Sequence, residues 1–436
     1  MPSPTYSEHL LPNGLKIMLK EIHTSPIISQ WVWYRVGSID EQPGATGLSH
    51  WVEHMQFKGT PRHPSSLIER SIARKGGVWN AFTSSDWTTY YATLPASEAR
   101  QIIEFEADRM VNSQYLPEDV ESERTVILAE LEGSENDPTY RLSMRMQKAL
   151  FANHPYRFDV IGEKADLQRI TRDELFEHYH AYYTPSNAVL ALAGDFDTRQ
   201  MLDTLTELYA PLPARNAPRR VTQPEPPLDG EIILEDSGPG DTTFMDVSYR
   251  SIEVSHPDLY ALTVLGSLLN GPSNMNMFGG GGISNKTSRL YRAIIDTGLA
   301  VAVSGGAPNS VDPFSYTFSL TAHPDQPVQA ALSALDGEIA RLQDHAVGIS
   351  EIQRAIKQAR AMFAYGAENI TNQAFWLGHA EMIANYSWFE TFLDNLAAVT
   401  PADVQRVAQY MFNPKQRVIG IFRPNGEPAP EMEADE

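Results

Sequence analysis

The sequence contains no cysteine among its 436 residues. This absence excludes disulfide scaffolds, thiol nucleophiles, and zinc or iron–sulfur sites that use cysteine ligands. Any metal site in this chain must therefore be built from histidine, aspartate and glutamate. A cysteine-free composition is compatible with both reducing and oxidising compartments.

Basic charge and long apolar runs are also scarce. The chain has 34 Lys and Arg against 55 Asp and Glu, which gives a formal net charge of −21. Nucleic-acid binders need a basic face to neutralise phosphates, so we expect no nucleic-acid partner. No apolar run approaches the roughly 18 residues that cross a bilayer, so we expect no membrane span. The remaining composition, 42% hydrophobic and 10% aromatic, is typical of a globular protein with several domains.

An internal repeat organises the chain. Residues 170–194 and 399–423 align without a gap. Each begins with a threonine suited to cap a helix, Thr171 or Thr400, and continues through an amphipathic helix to a proline turn and an apolar strand. The shared order favours duplication over chance agreement. We therefore predict an α+β fold of two homologous halves, each a sheet packed with helices.

A proline-rich polar segment separates the two repeats and reads as a linker. The predicted division is a first domain at 1–215, a linker at 216–229, a second domain at 230–423 and an acidic tail at 424–436. The sequence enters its first predicted strand early, without a basic and apolar leader. We expect a periplasmic location for a mature exported form, with the cytoplasm as the alternative.

The strongest chemical signal is the segment His50-Trp51-Val52-Glu53-His54. On a helix that turns about 100° per residue, His50 and His54 lie roughly 40° apart on one face. Their imidazoles can bind one ion, while Glu53 on the same side can reach a metal-bound water. The pattern inverts the common HExxH zinc motif with an equally competent geometry. Two histidines on an amphipathic helix without a metal remain the alternative.

A catalytic zinc needs a third protein ligand and one open position. Glu130 is the candidate, on a helix where Glu123 precedes it by seven residues on nearly the same stripe. Glu123 would then orient a histidine or the ligand as an outer-shell carboxylate. The same helix carries several other glutamates, so its spacing alone is equally compatible with a solvent-exposed acidic face.

Several segments resemble the family of pitrilysin, insulin-degrading enzyme and mitochondrial processing peptidase. They are TGLSHWVEHMQFKGT, GGVWNAFTSSDWTTYYATLP and ESERTVILAEL, and the similarity covers nearly all of the first half. The family reads HxxEH with a glutamate about 76 positions on, and here His54 and Glu130 differ by 130 − 54 = 76. The resemblance implies a zinc metallopeptidase of two similar domains, arranged like a clam around a closed chamber.

The family's functional residues match particular positions of this sequence. The resemblance implies that His50, His54 and Glu130 bind Zn²⁺, that Glu53 is the general base, and that Glu123 is the second, non-ligating glutamate. We expect this chemistry to hydrolyse short or unfolded peptides, because a closed chamber excludes folded proteins. A non-catalytic zinc-binding scaffold or core-type subunit is the alternative function.

Substrate contacts are expected beside this motif. Asn80 and Ala81 match the family's edge-strand segment, which would bind an extended peptide by strand addition. A simple turn at a strand end is the alternative for these two residues. Phe57 is a candidate for a side-chain pocket near the zinc, although an aromatic residue beside a helix is commonly part of the core.

The second half departs from the family pattern. It has no HxxEH motif, and Ile295 and Val301 stand where the family has an Arg and a Tyr that contact the scissile carbonyl. Neither side chain donates a hydrogen bond. We therefore expect a heterodimer in which a homologous subunit without HxxEH supplies the Arg and Tyr. A shifted register, in which Arg289, Tyr291 or Arg292 substitutes, is the competing account.

Overall fold

The computed structural model describes residues 6–221, 224–271, 286–366 and 368–427. Residues 428–436 of the predicted acidic tail lie outside the described residues. The strands are β1 (Ser7–Leu10), β2 (Lys16–Glu21), β3 (Ile27–Tyr34), β4 (Val78–Thr83), β5 (Thr88–Pro95), β6 (Ala188–Gly194), β7 (Ile232–Gly238), β8 (Phe244–Arg250), β9 (Ala300–Gly306), β10 (Ser315–Ala322) and β11 (Arg417–Pro424).

The helices alternate with these strands along the chain. They are α1 (Leu48–Gln56), α2 (Ser65–Arg74), α3 (Ala99–Asn112), α4 (Pro117–Glu135), α5 (Pro138–Leu150), α6 (Lys164–Leu167), α7 (Arg172–Tyr182), α8 (Thr198–Tyr209), α9 (Leu259–Asn270), α10 (Val328–Asp344), α11 (Ile349–Gly366), α12 (Ile370–Ile383), α13 (Tyr386–Ala397) and α14 (Pro401–Met411). Among the described residues, no helix is both long enough and apolar enough to cross a bilayer.

Two sheets repeat one strand order and confirm the predicted duplication. The first sheet runs β1-β2-β6-β3-β5-β4, and the second runs β7-β11-β8-β10-β9. In the first, β6 is parallel to β2 and antiparallel to β3. In the second, β11 is parallel to β7 and antiparallel to β8. The repeat strands β6 and β11 therefore occupy equivalent central positions.

The helices of the repeat begin in the same way. Thr171 caps α7 by accepting the N–H of Glu174, whose carboxylate accepts the N–H of Thr171 in return. Thr400 and Asp403 form the same reciprocal pair at the start of α14. Each pair satisfies two N–H groups that a helix start leaves without partners. The α+β prediction of two homologous sheet-and-helix halves is confirmed.

The two compact units are not contiguous in sequence. The first unit contains the described residues of 6–131, 158–221 and 368–389, and the second contains those of 132–157, 224–366 and 390–427. Two segments fall outside the predicted contiguous halves. Residues 132–157 belong to the second unit, and the described residues 368–389 belong to the first. Helix α12 packs on β3 and β6 of the first sheet, whereas α5 packs on β11, β7 and β8 of the second. Burial of each helix against a sheet remote in sequence is a tertiary effect that local composition does not encode.

Candidate metal centre

Helix α1 carries the His50–His54 segment, and local sequence fixes where it begins. Gly47 precedes it with a φ of 91°, and a Cβ there would lie 2.5 Å from the carbonyl oxygen of Ile161, so glycine is required. The buried carboxylate of Glu41 accepts the N–H groups of Gly47 at 2.6 Å and Ser49 at 2.7 Å. These two bonds satisfy N–H groups at the helix start, which have no partner within the helix. Leu48, Val52 and Met55 are buried on one side of α1, and at about 100° per residue the two histidines lie on the opposite side.

Three predicted ligands converge between α1 and α4. The Oε2 atom of Glu130 lies 3.8 Å from Nε2 of His50 and 3.7 Å from Nε2 of His54. All three ligand atoms lie within 4.8 Å of one another. Tetrahedral zinc with bonds of about 2.1 Å separates its ligand atoms by roughly 3.4 Å, so this gap fits zinc. The Glu130 side chain is 45% exposed, which leaves one side of the cluster open.

The protonation state of His50 suits metal binding. Burial, with a smaller contribution from the neighbouring His54, lowers the pKa of His50 to about 4. The imidazole is therefore neutral at neutral pH. Metal binding requires a neutral imidazole with a free lone pair, so no proton has to be displaced from His50.

Glu123 contacts the second histidine. Its Oε2 atom lies 2.9 Å from Nδ1 of His54, and its Oε1 atom accepts from the ammonium of Lys58. Burial raises the pKa of Glu123, but the bonds from Lys58 and His54 outweigh this effect and hold it below its ordinary value. A carboxylate on Nδ1 leaves Nε2 directed at the cluster. Sequence reasoning missed Lys58, although its position one helical turn after His54 is a usable signal.

Replacing Glu123 with Gln is expected to weaken zinc binding about 10- to 100-fold, because the amide holds the His54 imidazole less strongly than a carboxylate. Competition with a chromophoric chelator measures this affinity. Glu118→Gln is the matched control, since Glu118 is exposed in the first turn of the same helix. Equal affinity in both variants would show that Glu123 does not support the metal site.

Glu53 lies beside the cluster with one oxygen already engaged. The hydroxyl of Thr83, the last residue of β4, donates to Oε2 of Glu53. Burial raises the pKa of Glu53 above its ordinary value, while Thr83 and His54 oppose that rise and Glu130 adds to it. A carboxyl group with a raised pKa is suited to proton transfer near neutral pH. Thr83 was not predicted, because a threonine in a strand carries no distinguishing signal.

Asn80 and Ala81 lie in β4, at one edge of the first sheet. Among the described residues, β4 pairs only with β5, which leaves its other side free. Asn80 is exposed and Ala81 is buried, and the side-chain oxygen of Asn80 accepts the N–H of Ala81 at 2.9 Å. An open edge beside a catalytic group can pair with an extended peptide. Substrate binding by these residues stays a prediction.

Phe57 follows α1 and packs into an aromatic cluster. Its ring centroid lies 4.7 Å from that of Trp79, which lies 5.7 Å from that of Phe105. The buried guanidinium of Arg109 lies 4.1 Å from the ring centroid of Tyr90 in the same cluster. Phe57 is partly exposed, so part of its ring is accessible despite the contact with Trp79. Its role in substrate binding stays a prediction.

The two departures from the family pattern lie in the second unit. Ile295 ends a π-helical turn, Tyr291–Ile295, and Val301 lies on the edge strand β9 with 55% of its surface exposed. Arg289 is engaged elsewhere, because its Nε and one terminal nitrogen each lie 2.9 Å from the Glu351 carboxylate. This ion pair counts against Arg289 as a substitute for the missing arginine.

The fold and the site define a class, namely duplicated sheet-and-helix proteins with a His–His–Glu metal cluster. Residues 16–164 match the family model described as insulinase, peptidase family M16. Residues 169–359 match the model described as the peptidase M16 inactive domain. The chain belongs to the M16 (insulinase) peptidase family. The absence of a second metal motif agrees with the description of the second model.

Relatives and solved structures agree with this membership. An uncharacterized zinc protease of Bacillus subtilis is 23% identical over 95% of this chain and 97% of its own length. A probable mitochondrial-processing peptidase subunit beta of Arabidopsis thaliana is 26% identical over 84% of this chain and 72% of its own. A protease from Helicobacter pylori has the same fold, with a TM-score of 0.88, 22% identity, and coverage of 97% of this chain and 100% of that one. Zinc is the cofactor of the family, as predicted for this chain.

Proposed function

We propose that this chain is the zinc-carrying subunit of an endopeptidase that hydrolyses short or unfolded peptides. The observation that carries the proposal is the His50–His54–Glu130 cluster with the Glu53 carboxylate beside it. A cluster kept only for structure has no need of a buried carboxylate next to its open side. Zinc, when bound there, supplies Lewis-acid polarisation of the scissile carbonyl and lowers the pKa of a water molecule.

Glu53 performs the proton transfers in this mechanism. Because Thr83 engages Oε2, Oε1 is the oxygen available to take the proton of the attacking water. The same carboxyl group then donates that proton to the leaving amine. Peptide held along β4 would bring its scissile bond to Glu53, since Thr83 lies on this strand only three residues from Asn80. No covalent intermediate is required.

Thr83 positions Glu53, and its loss is expected to affect turnover selectively. Thr83→Val should lower kcat about tenfold, because one hydrogen bond to a charged group is lost. KM for peptide and zinc content should stay unchanged, since valine keeps the β4 backbone that would pair with the peptide and Thr83 is not one of the predicted metal ligands. Thr83→Ser keeps the hydroxyl and should retain most of the activity. A kcat that falls equally in both variants would instead indicate a packing role.

The second part of the proposal is a divided active site. Ile295 and Val301 cannot donate hydrogen bonds to a substrate carbonyl, and loss of such a donor typically lowers the rate about 10²–10³-fold. A homologous subunit that keeps the Arg and Tyr would restore these contacts in a heterodimer. The name of the Arabidopsis relative, a peptidase subunit beta, supports a family member that acts within an assembly.

Metal analysis tests the zinc site itself. The purified chain is expected to bind one zinc ion, and a chain with His54→Ala is expected to bind none. His9→Ala, at a half-buried histidine of β1, is the control for general effects of losing a histidine. A non-catalytic zinc-binding scaffold predicts the same metal content, but no peptide hydrolysis with any partner. The periplasmic location stays a prediction, which cell fractionation with a periplasmic marker can test.

A further inference from the structure

A polar cleft lies between α5 and the sheet of the second unit, away from the cluster described above. Its volume is about 290 Å³. Its walls include Ser143, Met146 and Leu150 from α5, Asp246 and Ser248 from β8, and Thr317 from β10. This space includes the open mouth of the cleft, so the enclosed part suits only a group as small as one side chain.

Asp246 brings to this cleft a carboxyl group for which the described residues provide no cationic partner. Among the described residues, no Lys, Arg or His nitrogen forms an ion pair with its carboxylate, and Ser319 is its hydrogen-bonding partner. Burial raises the pKa of Asp246 with no opposing contribution from a cation. Asp246 is half-buried, and a carboxylate drawn partly out of water is stabilised by pairing with a cation or a metal. The side chain therefore lacks the counter-charge that its environment calls for.

The duplication shows what the equivalent location in the first unit contains. Strand register pairs Val32 with Leu190 in the first sheet and Val247 with Ile419 in the second. Leu190 and Ile419 are equivalent in the repeat, so Val32 and Val247 are equivalent as well. The neighbouring residues then correspond as follows: Trp31 with Asp246, and Trp33 with Ser248. Two buried tryptophans in the first unit are thus replaced by an acid and a hydroxyl in the second.

The covering helices differ in the same sense. Phe375 and Ser143 each lie six residues after the residue that caps their helix, Asn369 for α12 and Asp137 for α5. In the first unit, the ring of Phe375 lies 5.3 Å from Trp31 and 5.3 Å from Trp33, centroid to centroid. In the second unit, the small Ser143 leaves that volume open. The rings of Trp31, Trp33 and Phe375 form an aromatic plug in the first unit, and the cleft occupies the equivalent position in the second.

We propose that this cleft binds a primary ammonium group on an aliphatic stem, with Asp246 as the counter-charge. The hydroxyls of Ser143 and Ser248 offer acceptors for the remaining ammonium hydrogens. Met146 and Leu150 supply an apolar wall for the methylene groups of the stem. A lysine side chain of a bound peptide and a free diamine both present this chemistry. The site is independent of the peptidase proposal, since all of its residues lie in the second unit.

Isothermal titration calorimetry on the zinc-loaded full chain tests this assignment. The probes are Nα-acetyl-lysine methylamide, cadaverine, and Nα-acetyl-norleucine methylamide, which keeps the stem but lacks the ammonium. We expect saturable binding of the first two and none of the third. Tighter binding of the lysine amide would identify a peptide side chain as the source, and tighter binding of cadaverine a free diamine.

Two variants locate the binding in the cleft. Asp246→Asn should weaken the ammonium probes about tenfold or more, because a charged hydrogen bond is lost. Ser143→Phe should abolish binding by restoring the aromatic plug, and it keeps the test valid if Asp246→Asn does not fold. Asp241→Asn, an exposed acid of the same unit, should change nothing. Equal binding of the norleucine probe, unchanged affinity in the folded cleft variants, or no saturable binding would overturn the proposal.

Discussion

Replacing Glu53 with Gln is expected to lower kcat/KM for peptide hydrolysis about 10²–10⁴-fold, the usual contribution of a general acid–base group. The amide can still accept the Thr83 hydroxyl bond, but it cannot take a proton from water. Zinc content should be unchanged, because the predicted metal ligands are His50, His54 and Glu130, and Glu53 is not one of them. A fluorogenic peptide assay with parallel metal analysis separates these two effects.

Glu118→Gln provides the control for charge loss on the enzyme surface, and it should retain full activity. Each variant is measured in the form that hydrolyses peptide, either the chain alone or the chain mixed with its homologous partner. Loss of zinc together with activity would show that Glu53 supports the metal rather than the proton transfer. Retention of activity in Glu53→Gln would remove Glu53 from the mechanism.

Restoring the two missing donors is expected to give the second large effect. A chain with Ile295→Arg and Val301→Tyr should hydrolyse peptides without a partner about 10²-fold or more faster than the unmodified chain, because each donor contributes about 10²–10³ in rate. Val301 is exposed on an edge strand, so the larger Tyr side chain can be accommodated there. Initial rates at low substrate concentration measure the gain.

Ile233→Arg is the matched control for adding a cation to the second sheet. Ile233 is 57% exposed on β7, the opposite edge strand of that sheet. Its replacement should leave the rate unchanged. A similar gain from Ile233→Arg would point to general electrostatic attraction of peptides, and no gain from the double variant would contradict the assignment of the missing donors.

Much of the fold follows from local sequence. The threonine caps, amphipathic helices and apolar strands of the repeat are short-range signals, so α7 with β6 and α14 with β11 were predicted correctly. Helix α12 was not recognised, because it is buried on nearly every side and so lacks the periodicity of an amphipathic helix. Its location on the first sheet depends on contacts between residues hundreds of positions apart. Such pairings have no local signature.

Some site residues are likewise predictable from local sequence, whereas others are found only through tertiary contacts. His50, Glu53 and His54 share one helix, so their spacing alone predicts a common face. Glu130 was a candidate third ligand that spacing alone could not distinguish from an exposed acidic face, and the structure brings it to the two histidines. Thr83 reaches Glu53 from a strand 30 residues away. That contact depends on how β4 packs beside α1, which the sequence pattern does not specify.

Hydrolysis of an unstructured fluorogenic peptide tests the central claim most directly. The chain is assayed alone and then mixed with a homologous chain that lacks HxxEH and keeps the Arg and Tyr, with Glu53→Gln in the same mixture. We predict activity in the mixture alone, abolished by Glu53→Gln. Full activity of the chain by itself would contradict the divided site, and inactivity of the zinc-loaded mixture would contradict the peptidase function.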